Sequence, residues 1–483
     1  MDYLKDNYWI VLIILNYILA ISAVITVVLK NINPTKTLSY IIFLVLFPFL
    51  GLLVYYLFGQ EYRKNKIFNR KHVLNQKTIK SINSELELDG KDIRRVDDYL
   101  DHKVKLVKLL YSNKNSPLTL CNDIKILKNA NKKFDTLLKD LEQAKNHIHF
   151  EYYIITDGKI GTKILDVLCT KAKQGIKVRL TYDDVGSKLS SRMKQKLNNS
   201  GVQHFPFMPV LFSRFTGKMN YRNHRKIAII DGEIAYVGGI NISDEYINEE
   251  NDNLYWRDTH LRLEGEAVKS LQINFFTTWD FVSNEKLKID TSYFPKVTCK
   301  NNVAVQIAAS GPDTDWANIM EAIFTAITSA VDYIYITTPY FVPNSQIVTA
   351  LQVASRSGVD VKLIIPKISD SWTVKHATNS YLESLFDADI KVYCYTKGFI
   401  HAKTMVVDDV FSTIGTCNLD NRSFNINFEI NALIYDSEES KILKSQFLKD
   451  IEDCEPINFE QWKTRPRLDK IKESFSRLWA PLL

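Results

Sequence analysis

Two stretches near the amino terminus depart from the mixed apolar and polar pattern of the rest of the chain. Between Asp6 and Lys30 lie 23 uncharged residues, and another 24 run from Thr37 to Gln60. Each exceeds the roughly 20 apolar residues that cross a bilayer as a helix, so the pattern predicts two transmembrane helices within 1–60, joined by a short link beginning "KNINPT". Pro48 falls inside the second run, where neighbouring groups can re-satisfy the freed carbonyl. Trp9, Tyr40, Tyr55 and Tyr56 sit toward the span ends, as interfacial aromatics do. A cleaved signal peptide fits less well, because the basic lead is weak and no small-x-small site follows the first run.

Residues 61–115 read as a polar, partly helical connector. Beyond it the chain writes one pattern twice, over 116–295 and 296–483. "NHIHFEYYIITDGKIG" (146–161) parallels "VDYIYITTPYFVPN" (331–344), each a β-rich run ending in a loop and followed by a helical segment. "GIKVRLTYDDVGS" (175–187) then parallels "GVDVKLIIPKISD" (358–370). Strands alternating with helices predict an α/β lobe, here present twice, with one site between two lobes related by a pseudo-two-fold axis.

Charge refines this picture. The chain carries a net +7, and part of the excess is concentrated in "EYRKNKIFNRKHVLNQKTIK" (61–80), with seven Lys or Arg against one acid. By the positive-inside rule that segment is cytoplasmic, and it can also rest on anionic headgroups. The protein is then expected in the cell membrane as a multi-pass protein, with its catalytic lobes on the cytoplasmic side. The six cysteines, Cys121, Cys169, Cys299, Cys394, Cys417 and Cys454, form no CxxC pair and match no zinc spacing, so they read as reduced thiols with no metal.

The candidate chemistry lies in "NHRKIAIIDGEIAYVGGIN" (223–241) and "IHAKTMVVDDVFSTIGTCN" (400–418). The first reads as a β-hairpin turning at Asp231-Gly232. Side chains on a strand alternate faces, so His224 and Lys226 point one way, and Asp231 closes the turn. Asn241 follows a Gly pair and returns an amide toward the His/Lys end. The second copy supplies His401, Lys403, Asp408 and Asn418 in the same roles. Two lysines and two asparagines suit a phosphate whose charge grows in the transition state. Two histidines suit a two-step exchange, one attacking phosphorus and the other protonating the leaving alkoxide. No acid cluster suits Mg²⁺, and neither a P-loop nor GxSxG is present. Each histidine needs its second ring nitrogen fixed. The expected partners are Asp258 for His224 and Glu429 for His401, lone acids 17 and 11 residues beyond Asn241 and Asn418.

Two HxKxxxxD sets, each with Asn ten residues past its Asp, resemble the phospholipase D superfamily. Within it, the two spans together with "EYYIITDGKIG", "YDDVGS", "VGGINISDEY", "SGPDTDW", "TTPYFVPN", "GTCNLDNRSF" and "RLWAPLL" resemble the bacterial cardiolipin synthases over nearly the whole chain. The second motif has Gly-Thr-Cys-Asn where Gly-Ser-Ala-Asn is commoner; a Thr hydroxyl can still donate. The resemblance implies a phosphatidyl transferase without a cofactor that joins two phosphatidylglycerols into cardiolipin and glycerol. It makes His224 the nucleophile and His401 the general acid and base, an order that pseudo-symmetry leaves open in the sequence itself. A hydrolase using water as acceptor would employ the same residues. A nuclease gives no reason for an anchor, so nucleic acid is not an expected partner, and a non-enzymatic scaffold gives no reason for two full His/Lys sets. "HFPFMPVLFSRF" (204–215), rich in aromatics and broken by two prolines, reads either as a loop tucked into the core or as one that dips among acyl chains.

Overall fold

The computed structural model describes residues 8–29, 34–52, 81–82, 84, 86, 104–111, 116–209, 221–249, 254–283, 285, 287–298, 300–314 and 316–480. Contacts divide the chain into two units, 1–62 with 209–221, and 63–208 with 222–483.

In the first unit the helix Tyr8–Leu29 is long and apolar enough to span a bilayer, and among the described residues it is the one helix that is. A second helix, Pro34–Leu46, bends at Phe47 and resumes over 48–52, as expected where Pro48 removes a backbone donor. Val27 and Leu44 pack between the two helices. The expected second span is thus described only over 34–52, as a helix interrupted at Phe47, and its distal part, 53–60, lies outside the described residues, as does the basic stretch 61–80.

The second unit contains two large mixed sheets of matching topology. In the first lobe the strands lie in the order Asn122–Lys128, Thr259–Gly265, Ile234–Gly238, Lys226–Ile230, His147–Tyr152, Lys177–Asp183, Gln203–Phe207. In the second lobe Ala304–Ser310, Glu429–Tyr435, Phe411–Gly415, Thr404–Val407, Tyr333–Thr337, Asp360–Pro366 and Lys391–Tyr395 follow the same sequence of connections. Two short edge strands, Leu118–Thr119 and Cys454–Pro456, extend the second sheet to nine. Each lobe joins its parallel strands through helices, as parallel pairing requires.

These strands read as nearly continuous apolar runs because both sheet faces are covered. In Lys226–Ile230, Ala228 and Ile230 pack toward the outer helices with Phe134, Leu165 and Leu197. Ile227 and Ile229 turn to a core shared by both lobes, with Val305, Tyr335, Val406 and Ile430 of the second lobe. The helix Ala267–Ser283 feeds the same core with Leu271, Phe275, Phe276 and Trp279. Truncating one such aromatic to Ala typically costs about 3–5 kcal/mol, so the lobes are joined by packing and not by a loose hinge.

Three readings of the sequence change here. The helix Val104–Tyr111, expected in the connector, places Leu106, Val107 and Leu110 in the second lobe's core, and Leu118–Thr119 pairs with that lobe's sheet. Cys121, expected as a reduced thiol, is disulfide-bonded, while Cys169, Cys394, Cys417 and Cys454 are free. Residues 203–207 are an edge strand, not the start of an exposed loop. Phe207 is buried against Phe281 and Phe428, and Phe205 stacks edge-on against Trp279. Val210, Leu211, Phe212 and Phe215 lie outside the described residues.

Candidate active site

Both hairpins form as the Asp-containing turns require. Asp231 and Asp408 take positive φ values of 56° and 51°, a conformation that Asp tolerates better than most residues. The Asp231 carboxylate accepts the backbone N–H groups of Lys145, Asn146 and His147 at 2.8, 2.7 and 2.9 Å. Asp408 accepts those of Val331, Asp332 and Tyr333 at 2.8, 2.9 and 2.8 Å. Each aspartate therefore staples its hairpin to the start of the neighbouring strand, at the opposite end of the hairpin strand from the histidine. This is the turn-closing role that the sequence suggests for them, and the partners named here are backbone groups, not imidazoles.

The histidines acquire their carboxylates crosswise. His224 Nδ1 lies 2.9 Å from both carboxylate oxygens of Glu429 in the other lobe. His401 Nδ1 lies 2.8 Å from Asp258 Oδ2. The expected pairing within each lobe is overturned by main-chain pairing between lobes. The His224 N–H donates to Phe428 O at 2.9 Å, and the Phe428 N–H donates to Arg222 O at 2.9 Å. On the other side Tyr255–Arg257 pairs in parallel with Gly398–Ile400, and the His401 N–H donates to Arg257 O at 2.7 Å. The residue after each of these acceptors, Glu429 or Asp258, is thus set beside the foreign histidine. Among the described residues no cluster of three or more His, Cys, Asp or Glu side chains could hold a metal.

The two dyads differ in their support. Thr416 Oγ1 donates to Glu429 Oε2 at 2.5 Å. The equivalent position in the first lobe is Gly239, where an added Cβ would stand 2.2 Å from Asp258 Oδ1. Burial works to raise the Glu429 pKa, but His224, Lys226 and Thr416 together hold it below the usual range. Burial wins at Asp258 and pushes it to about 6, against the opposing pull of Lys403. His224 is lowered to about 4 by burial, with Glu429 opposing. His401 falls well below its ordinary value through burial and the charges of Lys403 and Lys226.

The lysines are held just as tightly. Lys226 Nζ donates to His224 O at 2.6 Å, and Lys403 Nζ donates to His401 O at 2.5 Å. Burial lowers Lys226 to about 7 and Lys403 to about 8. Lys403 also lowers Lys226 and His224, so both lobes contribute charge to one site.

The asparagines are more committed than the sequence reading allowed. Asn241 accepts the Ile154 N–H at 3.2 Å and donates to Tyr246 Oη at 2.7 Å. Tyr246 Oη in turn stands 3.4 Å from His401 Nδ1. Asn418 shares a hydrogen bond with the Asp420 carboxylate. Tyr246, Thr416 and Asp420 were missed as site residues. All three lie in quoted motifs, "VGGINISDEY" and "GTCNLDNRSF", but nothing in their spacing tells which lobe they serve. Asp370 was also missed; it acts on Lys403 and Tyr246 through charge and accepts Tyr340 Oη at 2.6 Å.

A family model described as "Cardiolipin synthase, PLD-like domain" matches residues 137–279 and 323–451, and one described as "Phospholipase_D-nuclease N-terminal" matches 18–60. A cardiolipin synthase of Halalkalibacterium halodurans is 40% identical over 461 residues, covering 95% of this chain and 91% of its own. One from a Geobacillus species is 40% identical over 459 residues, covering 94% and 90%. The crystal structure of phosphatidylserine synthase from Haemophilus influenzae shares the fold, with a TM-score of 0.61 at 14% identity over 78% of this chain and all of that one.

Proposed function

Because the chain belongs to the cardiolipin synthases of the phospholipase D superfamily, we propose that His224 attacks phosphorus and His401 is its acid and base. The activity is phosphatidyl transfer that yields cardiolipin. The donor and acceptor in this reading are both phosphatidylglycerol.

His224 Nε2 bonds to phosphorus of the first lipid while the bond to its glycerol headgroup oxygen breaks. The bound phosphate anion offsets Lys403 and Lys226, whose charges lower His401 in the free protein, so His401 enters this step protonated; it gives that oxygen the proton, and glycerol leaves. The neutral His401 then takes the proton from the primary headgroup hydroxyl of a second phosphatidylglycerol. That oxygen attacks phosphorus, the N–P bond breaks, and His224 is restored. Lys226 and Lys403 balance the phosphate charge throughout, and Asn241 and Asn418 hold the groups that line it.

The observation that carries this reading is the crossed pairing of each imidazole with the other lobe's carboxylate. It fixes Nδ1 of both rings and leaves both Nε2 atoms for substrate. The order of the histidines is supported by the difference between their acids. Glu429, held ionised, stabilises the positive charge that His224 takes on as a phosphohistidine. Asp258, raised to about 6, suits a partner that must release its proton and regain it.

The same reading puts the apolar helix Tyr8–Leu29 in the membrane, adds a second span over 37–60, and keeps the lobes on the cytoplasmic face through the basic stretch 61–80. It is tested with the full chain in phosphatidylglycerol liposomes and separation of the products. Cardiolipin with equimolar glycerol is expected. Phosphatidic acid without cardiolipin would show that water is the acceptor and overturn it.

A further inference from the structure

The last long helix of the chain is turned the wrong way round for a soluble protein. Arg467–Arg477 packs on the helix Trp372–Phe386, but the residues it buries are Glu473, Ser476 and, just beyond, Ala480. Glu473 is paired there with Arg465 at 2.8 Å. Arg477 donates to Ser380 O at 3.1 Å and lies over the Tyr381 ring. At about 100° per residue, Leu468, Ile471, Phe475, Leu478 and Trp479 fall on one continuous arc, and this arc faces outward, each side chain 46–75% exposed. Leu478 and Trp479 continue the helical turn through N–H bonds to Phe475 O and Ser476 O.

An apolar arc of this width normally faces a core. Exposed contiguous apolar patches mark interaction sites. The chemistry of the flanks indicates the partner: Arg467 and Lys470 border one side of the arc, Lys470 donating to Lys463 O at 3.0 Å, and Lys472, paired with Asp469 at 3.0 Å, borders the other, so the net charge beside the arc is positive. Apolar residues between basic ones are the pattern of a helix lying in the plane of an anionic bilayer surface. Trp372, at the start of the supporting helix, and Ile368, in the loop before it, are also exposed. That loop carries Asp370, which accepts Tyr340 Oη at 2.6 Å and acts on Lys403 through charge.

We infer that Arg467–Arg477 is an interfacial helix that docks the second lobe on anionic phospholipid, a membrane contact separate from the amino-terminal helix. Its arc seats among the acyl chains, its basic flanks meet the headgroups, and the site is brought to the depth of the phosphate it must attack. The contact does not depend on which histidine is the nucleophile.

The test uses the full chain in vesicles of phosphatidylglycerol and phosphatidylcholine, with a spin label at Phe475→Cys or, on the neighbouring polar face, at Ser474→Cys. The parent chain is labelled in parallel to subtract its own thiols. Collision with oxygen and with a water-soluble nickel chelate reads depth. The label at 475 is expected to be several-fold more accessible to oxygen than to nickel, and that at 474 the reverse. Equal nickel accessibility at both positions overturns the inference. Protection at 475 that persists in detergent and grows with protein concentration assigns the face to a second copy of the chain, and also overturns it. A second readout uses Leu468→Ser combined with Phe475→Ser, both exposed and remote from the histidines. KM for vesicular phosphatidylglycerol should rise about tenfold with kcat retained, while activity on dispersed short-chain phosphatidylglycerol is unchanged. An unchanged vesicular KM counts against the docking role, and it does so even if transfer chemistry is confirmed.

Discussion

Glu429, at the start of the second lobe's strand Glu429–Tyr435, holds His224 of the first lobe through contacts of 2.9 Å to both carboxylate oxygens. The reciprocal contact runs from Asp258 to His401 at 2.8 Å. Replacing the carboxylate by an amide preserves shape but offers the wrong hydrogen-bonding partner to an Nδ1–H. Glu429→Gln and Asp258→Asn are each expected to lower kcat about 10²–10⁴-fold, as carboxylates that orient catalytic histidines do elsewhere. Thermal melts run alongside the kinetics separate this loss from unfolding. Retention of full kcat in Glu429→Gln would remove the dyad from the mechanism.

The covalent step can be isolated from the acid step. A phosphatidyl ester of p-nitrophenol leaves without protonation. With this substrate His401→Ala should release one equivalent of nitrophenol and accumulate an acid-labile phosphatidyl-enzyme, while His224→Ala releases none. The reverse assignment of label to the two variants would exchange the roles of the histidines. On phosphatidylglycerol itself both variants should be inactive.

The lysines set the alkaline limb. Lys226 titrates at about 7 and Lys403 at about 8 in the free protein, so positive charge leaves the site as pH rises through that window. Because kcat/KM reports the free enzyme, it should fall above pH 7–8, whereas kcat, measured with phosphate bound, should fall at higher pH. His224, lowered to about 4, is neutral across the whole range and adds no limb there. Lys226→Met should lower kcat/KM at pH 6.5 and flatten part of the alkaline fall. A flat profile from pH 6 to 9.5 in the unmodified protein contradicts the assignment.

Asp231 and Asp408 should behave as structural groups. Asp231→Ala leaves three backbone donors without their acceptor and should cost roughly 2–3 kcal/mol of stability, read as a lower midpoint in denaturant. The activity of the remaining folded protein should stay within about tenfold of the parent, since no imidazole is touched. A kcat loss as deep as that of His224→Ala with unchanged stability would return the aspartate to the chemistry.

Thr416 and Gly239 mark where the dyads diverge. Removing the Thr416 hydroxyl takes one donor from Glu429, worth about 1 kcal/mol or about fivefold in rate, and Thr416→Ser should restore it. Gly239→Ala presses a methyl against Asp258 Oδ1 and should cost more, because the carboxylate must leave His401 to make room. If Thr416→Ala and Thr416→Ser lose equal activity, the methyl and not the hydroxyl supports Glu429.

How much of this was legible in the sequence follows from the range of each interaction. The duplicated lobes, both hairpins and their Asp turns are local patterns, and the structure places them where alternation, the Asp231-Gly232 signal and its repeat at Asp408 put them. The identities of the two carboxylates that face the Nδ1 atoms, Asp258 and Glu429, were also readable, since lone carboxylates in apolar strands are rare. Their pairing was not. It depends on main-chain contacts between segments 205 and 143 residues apart, and no spacing rule within one lobe encodes them. Phe207 was left open between core and lipid for a related reason: "HFPFMP" is aromatic whether it edges a sheet or meets lipid, and only the partners Phe281 and Phe428 decide. Tyr246 and Thr416 were visible as letters, but their use follows from which histidine arrives beside them.

The parallel ladder between Tyr255–Arg257 and Gly398–Ile400 has a consequence in time. During synthesis the first lobe emerges with His224 in place but with Glu429 still some 200 residues away in the unfinished chain. Its own Asp258 waits for a histidine not yet made. A nascent or truncated chain therefore holds two halves of different dyads and no complete one. The ability to cleave a membrane lipid switches on only when the second lobe has folded and docked, so completion of the fold is itself the licence for the chemistry.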